Sequence, residues 1–259
     1  MLPSTAIRLA GAARQFGDYH AIRDIDLTVR TGRFVSLVGP SGCGKSTVLN
    51  LIAGLIEPTA GAVSIFEQPL QGLNRRAGYM FQQDALLPWK TVAANIALGP
   101  ELRGMRQEEI RPQVQEWIRR VGLTGFADSY PHQLSGGMRK RVALAQTWIA
   151  DPDMILMDEP FSALDVHTRL QMESEVLAIW AGSNKTIVFV THDLEEAIAL
   201  SDEVLLLSAG PASRVVGSYP IDLPRPRNLI DIRTEGQFAE LYRGIWSHLR
   251  EEVLRSYAR

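Results

Sequence analysis

Hydrophobic and polar positions change period several times along the chain. Ile22–Val29 alternates apolar and polar, the pattern of an antiparallel strand with one buried face. Phe34–Val38 is mostly apolar and ends at Gly39, as a strand covered on both faces of a parallel sheet does. A helix is expected over Lys45–Ala53, closed by Gly54. Met154–Met157, Thr186–Val190 and Val204–Leu207 predict three more buried strands, separated by helices over Val166–Trp180 and Leu194–Leu200. That alternation predicts an α/β fold. From about Leu86 to Ala150 the period is helical, clearest over Gln107–Val121 and Gly136–Ala150. Residues 86–150 therefore read as a helical lobe inserted into a core built from 1–85 and 151–220. After the proline-bearing stretch Asp222–Arg227, residues Phe238, Leu241, Ile245, Leu249 and Val253 recur at helical spacing. Residues 221–259 are expected to hold a linker and an amphipathic helix packed on the core.

Composition narrows the class further. The 27 Lys and Arg against 29 Asp and Glu leave a net charge of −2, which argues against a basic nucleic-acid binder. No apolar run approaches the roughly 18 residues needed to cross a bilayer. Met1–Ala13 lacks the charged start and long apolar stretch of a signal peptide. A single cysteine, Cys43, can form neither an internal disulfide nor a cysteine-based metal site. The expectation is a cytosolic chain that meets a membrane through a partner.

Gly39-Pro40-Ser41-Gly42-Cys43-Gly44-Lys45-Ser46-Thr47 fits the phosphate-loop pattern, with a buried strand before it and a helix after it. Its glycines let successive backbone N–H groups curl around phosphate oxygens, and the helix N-terminus adds a positive dipole end. Lys45 is placed to reach the β- and γ-phosphates of a nucleotide, with its side chain expected to face solvent otherwise, and Ser46 to ligate Mg²⁺. Cys43 contributes its backbone only. This loop alone leaves kinases, GTPases and motor ATPases open. A GTPase should also carry Asn-Lys-x-Asp, and Asn184-Lys185-Thr186-Ile187 lacks the aspartate. Met154–Met157 runs into Asp158 and Glu159, two acids where a strand end faces the ligand crevice of an α/β sheet. Asp158 suits Mg²⁺; Glu159 points elsewhere and can activate the attacking water. Leu134-Ser135-Gly136-Gly137-Met138 opens a helix, with Ser135 as N-cap.

In this order, the motifs closely resemble those of the ATP-binding subunits of ABC transporters, over nearly the whole chain. The resemblance implies a P-loop ATPase core with an N-terminal antiparallel β part and an inserted helical lobe. Leu134–Met138 matches the family signature, with Met138 where glutamine is usual, as also occurs in the nitrate/sulfonate/taurine importer branch. A further departure is Gln146, where many members have arginine. Gln82 matches the glutamine that senses Mg²⁺ and water. Ser162–Asp165 matches the loop after the acids, and His192 the switch histidine that contacts the γ-phosphate and holds Glu159. Phe16 best matches the aromatic that stacks on adenine, with Tyr19 as the alternative. Ser135, Gly136 and Gly137 are implied to meet the ATP of a second ATP-binding subunit, so that a dimer, with a homodimer expected, is the active ATPase.

The resemblance also implies integral membrane permease subunits as partners, contacted near Leu86-Leu87-Pro88-Trp89, and a substrate-binding protein reached indirectly. That places the chain on the cytoplasmic face of the membrane, held peripherally by the permease, with no nucleic-acid partner. Leu86–Trp89, Met138 and Asp222–Arg227 together resemble the importer branch for small anions. An exporter subunit or a non-transport ATPase of the same superfamily remains the alternative. A DNA-repair member would need a long coiled coil between Ser46 and Ser135, and no heptad run is present there.

Overall fold

A computed structural model describes residues 4–257. Residues 1–3, within Met1–Ala13 and the expected core, and residues 258–259, in the expected terminal segment, lie outside the described residues.

Two sheets carry the fold. Strands β1 (Thr5–Phe16) and β2 (Tyr19–Arg30) form a long antiparallel hairpin. With β4 (Ala60–Ile65) and β5 (Gln68–Pro69) they make a four-stranded sheet in the order β2-β1-β4-β5. The second sheet takes β3 (Phe34–Val38), β6 (Ala77–Met80), β7 (Met154–Asp158), β8 (Thr186–Val190), β9 (Glu203–Leu207) and β10 (Val215–Pro220) in the order β10-β9-β3-β8-β7-β6. Its neighbours are parallel except for β10, which pairs antiparallel with β9 at the edge.

Side-chain alternation explains why the central strands read as continuous apolar runs. Phe34 and Val38 of β3 join Ile187 and Phe189 of β8 and Ile155 and Met157 of β7 in one core layer. Val35, Leu37, Val188, Val190 and Leu156 face the other layer, with α1 (Lys45–Ala53) and the four-stranded sheet. Burial on both faces removes any need for polar alternation. The first layer also holds apolar residues from α2 (Val92–Leu102), α3 (Gln107–Arg120), α4 (Gly136–Ile149), α5 (Val166–Ala181) and α6 (Leu194–Leu200). The helices of residues 86–150 thus share a continuous apolar core with the sheet.

Helix ends are set by local chemistry. Thr91, Ser135, Asp165 and Asp193 cap α2, α4, α5 and α6 through side-chain oxygens that accept backbone N–H groups. The Asp222–Arg227 stretch is fastened down. Arg227 donates to the carbonyls of Ile198, Ala199 and Ser201 at the end of α6 at 3.2, 3.0 and 2.7 Å. Arg225 pairs with Asp202 at 2.8 Å and lies over the Trp180 ring. Beyond it, α7 (Gly236–Tyr257) buries Phe238, Ile245 and Leu249, as its stripe predicts. Among the described residues no helix is long and apolar enough to cross a membrane.

Candidate nucleotide site

The loop from Gly39 to Gly44 joins the C-terminal end of β3 to the N-terminus of α1. Gly44 has φ of 90°, in the left-handed region, and a Cβ there would sit 2.6 Å from Ile22 Cγ2 of β2. No other residue satisfies both the conformation and the space. Gly39, Pro40 and Cys43 are buried, whereas Ser41, Gly42 and Ser46 reach solvent and Thr47 is half-buried. Burial pushes the Cys43 thiol up, despite the nearby Lys45 charge, so it is held as a neutral thiol. Lys45 departs from the expectation of a solvent-facing side chain. It is 6% exposed, and its Nζ donates to the carbonyls of Gly39 at 2.8 Å and Pro40 at 3.0 Å. An ammonium with three donors satisfies itself on the carbonyls of its own loop.

Asp158 ends β7 beside that loop. Ser46 Oγ donates to its Oδ1 at 3.0 Å, and the Tyr79 hydroxyl lies 3.4 Å from its Oδ2 and 3.1 Å from Asn50 Oδ1. Burial raises the Asp158 carboxyl above the ordinary range and the Glu159 charge adds to this, while the Ser46 and Tyr79 hydrogen bonds and Lys45 pull the other way. Burial also raises the Tyr79 phenol, helped by the Asp158 charge. One carboxylate and one hydroxyl offer hard oxygen ligands, and among the described residues no group of three His, Cys, Asp or Glu forms a metal cluster. This donor set fits Mg²⁺, which keeps waters and phosphate oxygens and needs few protein ligands.

Glu159 turns away. Its φ of 44° puts a non-glycine residue in the left-handed region, a strain of order 1–3 kcal/mol that clusters at functional sites. The turn separates the two carboxylates: Glu159 Oε2 lies 3.1 Å from His192 Nδ1 and 3.5 Å from the Gln82 amide nitrogen. Glu159, His192 and Gln82 therefore converge, next to the Ser46–Asp158 pair.

Phe16 and Tyr19 close the β1–β2 hairpin as a paired set, both about half exposed. Three residues on, Ile22 of the same strand packs under Gly44. The signature residues stand apart from the loop: α4 packs on α2, α3, β6 and α5, while α1 packs on β2, β4, β7 and β8. Ser135 Oγ accepts the Met138 N–H at 3.3 Å, and a Cβ on Gly137 would meet Thr168 Cγ2 at 2.6 Å. Of Leu86–Trp89, Leu86 is half-buried against the core; the Leu87 N–H donates to Asn95 Oδ1 and the Leu87 carbonyl accepts from the Asn95 side-chain amide; Trp89 is 71% exposed.

Sequence reasoning missed Tyr79 and Asn50 beside Asp158. It also missed Lys140 of α4, which is buried, donates to the Gln82 carbonyl at 2.6 Å and pairs with Asp84 at 3.0 Å. Tyr79 carried one usable signal, its place three residues before Gln82.

A family model described as ABC transporter matches residues 22–162. An ABC transporter ATP-binding protein of Methanocaldococcus jannaschii is 45% identical over 236 residues, covering 91% of this chain and 86% of the relative. A taurine import ATP-binding protein of Yersinia pestis is 43% identical over 209 residues, covering 81% of this chain and 82% of the relative. A dimeric ATP-binding cassette in a post-hydrolysis state with ADP and phosphate superposes with a TM-score of 0.73 at 32% identity, over 84% of this chain and all of that one. With the loop, the paired acids and the capped signature helix in place, the chain belongs to the ABC transporter family, as one of its ATP-binding, ATP-hydrolysing subunits.

Proposed function

We propose that this chain powers an importer of a small anion or related small molecule, of the nitrate, sulfonate and taurine type. The observation that carries the mechanism is the convergence of Glu159, His192 and Gln82 beside the Ser46–Asp158 pair. In this reading the backbone of Gly39–Thr47 and Lys45 hold the phosphates, and Lys45 exchanges its two loop carbonyls for phosphate oxygens. Ser46 and Asp158, with Gln82 at the edge, would hold Mg²⁺, which supplies charge neutralisation on the β- and γ-phosphates. Glu159 accepts the proton of the attacking water. His192 orients Glu159 and contacts the γ-phosphate, and Phe16 stacks on adenine.

Ser135, Gly136 and Gly137 offer a hydroxyl and N–H groups at the N-terminus of α4, away from their own loop. This supports completion of the site by a second copy, in a homodimer. Residues 1–85 and 151–220 act as the ATP-binding core, 86–150 as the lobe that presents the signature, and 221–259 as the fastened terminal segment. Between α2 and α3 lies a groove of about 670 Å³ lined by the apolar Ala97, Ile110 and Val114 and the charged Glu101, Glu108 and Arg111. With the exposed Trp89 it supports docking of a permease segment, and hence a peripheral position on the cytoplasmic face, with the substrate-binding protein met only through the permease.

Transport direction tests the reading. In vesicles carrying the permease, with ATP on the face that binds this chain, labelled taurine, nitrate or an alkanesulfonate should accumulate toward that face. ATP-driven movement away from it would replace the importer with an exporter.

A further inference from the structure

One arginine outside the family motifs bridges two loops that flank Glu159. Arg169 lies on α5, one turn past its Asp165 cap. Its Nη2 donates to the Leu164 carbonyl at 3.2 Å, in the loop that follows Glu159. Its Nη1 lies 3.4 Å from Asp193 Oδ2, next to His192. Its Nε lies 3.6 Å from Glu196 Oε1, on α6.

The far side of the same network closes on His192 from the other direction. Glu196 is 3% exposed, and its Oε2 accepts the Thr191 hydroxyl at 2.6 Å. Thr191 Oγ1 in turn accepts the Asp193 N–H at 3.0 Å. Asp193 Oδ1 caps α6 through the N–H groups of Glu195 and Glu196 at 2.9 and 3.3 Å. Both chain neighbours of His192 are thus pinned, Thr191 by Glu196 and Asp193 by Arg169. The His192 side chain itself is 56% exposed, with its Nδ1 3.1 Å from Glu159 Oε2. A ring more than half exposed takes its position largely from the backbone that carries it.

We infer that Arg169 is a positioning residue: it ties the Leu164 loop to the Thr191–Asp193 turn so that His192 and Glu159 keep a fixed separation. Arginine suits the task because its planar fork serves several acceptors at once, whereas lysine offers a single point charge. The inference rests on the role of His192 proposed above, and the experiment separates the two.

In the full chain, Arg169→Ala should leave ATP affinity within about twofold of wild type, because no phosphate-binding group is touched. Misplacing a catalytic group by about 1 Å can cost ~10²-fold, so saturated turnover should fall about tenfold to a hundredfold. Arg169→Lys should fall between. Adding Arg169→Ala to His192→Ala should lower turnover no further, since a residue that acts through His192 has nothing left to position. A purely structural role predicts multiplied losses instead, and that outcome overturns the inference. Asp193→Asn covers the case in which Arg169→Ala does not fold. It keeps an N-cap for α6 while removing the charge that faces Arg169, and it should show the same loss and the same non-additivity.

A readout independent of turnover completes the test. The imidazole resonance that disappears in His192→Ala should move in Arg169→Ala or Asp193→Asn as the contact with Glu159 loosens. An unmoved resonance overturns the inference. Wild-type turnover in His192→Ala, with the resonance still moving in Arg169→Ala, overturns the role of His192 and leaves the tether standing.

Discussion

Replacing Glu159 with Gln separates binding from hydrolysis. The amide keeps the length of the side chain and the left-handed backbone turn at φ 44°, and its oxygen can still accept from Gln82 or a His192 N–H. What is lost is the charge and the capacity to take a proton from water. Removing a positioned general base costs typically 10²–10⁴-fold, and at 1.36 kcal/mol per decade that is about 2.7–5.4 kcal/mol of barrier. Turnover should therefore nearly vanish. ATP affinity should hold or improve, because Lys45, Ser46 and Asp158 are untouched and one negative charge has left their surroundings. With ATP retained, the contacts from Ser135 and Gly137 to the γ-phosphate of a second copy should persist and hold two chains closed. Size-exclusion chromatography with light scattering, in ATP and Mg²⁺, should show a stable dimer for Glu159→Gln and only a transient one for wild type. Adding Ser135→Arg should restore the monomer by placing bulk and charge at the N-terminus of α4. Wild-type hydrolysis by Glu159→Gln would refute the base assignment. An inactive variant that binds ATP as a monomer would refute completion of the site by a second copy alone.

Lys45→Ala should abolish measurable ATP binding in a titration. It also removes two hydrogen bonds that tether the loop, each worth about 1 kcal/mol, so the melting temperature should fall by a few degrees without unfolding; unchanged ATP affinity would sink the phosphate-loop assignment. Phe16→Ala should raise KM for ATP by up to roughly tenfold with little change in kcat, given stacking worth about 0.5–1.5 kcal/mol beyond area burial; if Tyr19→Ala shows this effect and Phe16→Ala does not, the adenine contact is made by the paired residue on the opposite strand. Glu173, fully buried on α5, has its carboxyl pushed up to about 7, mainly by burial and against the pull of Arg233 at 2.9 Å. A raised acid is protonated in the folded chain where the unfolded chain has lost its proton, so its stabilising share is full below about pH 4.5 and is lost as pH rises through 7. Glu173→Gln should flatten the decline in melting temperature between pH 5 and 8, and an unaltered slope would contradict the buried, protonated carboxyl.

The parts of the fold legible in the sequence are those with both faces covered or one clean apolar stripe. Phe34–Val38, Met154–Met157, Thr186–Val190 and α7 fall in this class. Strands β1, β4, β5, β6 and β10 were not read, for local reasons. The register of β1 shifts around Gly11, which breaks the alternation of its side chains. Ala77-Gly78-Tyr79-Met80 is too short and too poor in β-branched residues to announce itself. The edge strand β10 is only half-buried and carries Gly217 and Pro220. The site divides along a different line. Gly39–Thr47, Asp158–Glu159, Ser135–Gly137 and His192 are legible because a phosphate loop, a strand end, a capped helix and a switch turn are each built from adjacent residues. The groups that bind these pieces to one another leave no such trace. Lys140 and Arg169 read along the chain as ordinary cations on helix surfaces, and Tyr79 lies in a stretch too short to read as a strand. Each acts on a partner distant in sequence: Lys140 on Gln82, Arg169 on Leu164 and Asp193, Tyr79 on Asp158. A group aimed at a ligand needs a local scaffold, and the scaffold carries a spacing. One aimed at another segment needs only to arrive there, and the tertiary fold alone decides that. Lys45 shows the two demands meeting in one side chain: its place in the motif is readable, but its pose on the Gly39 and Pro40 carbonyls is not, because those acceptors exist only once β3 and α1 have fixed the loop between them.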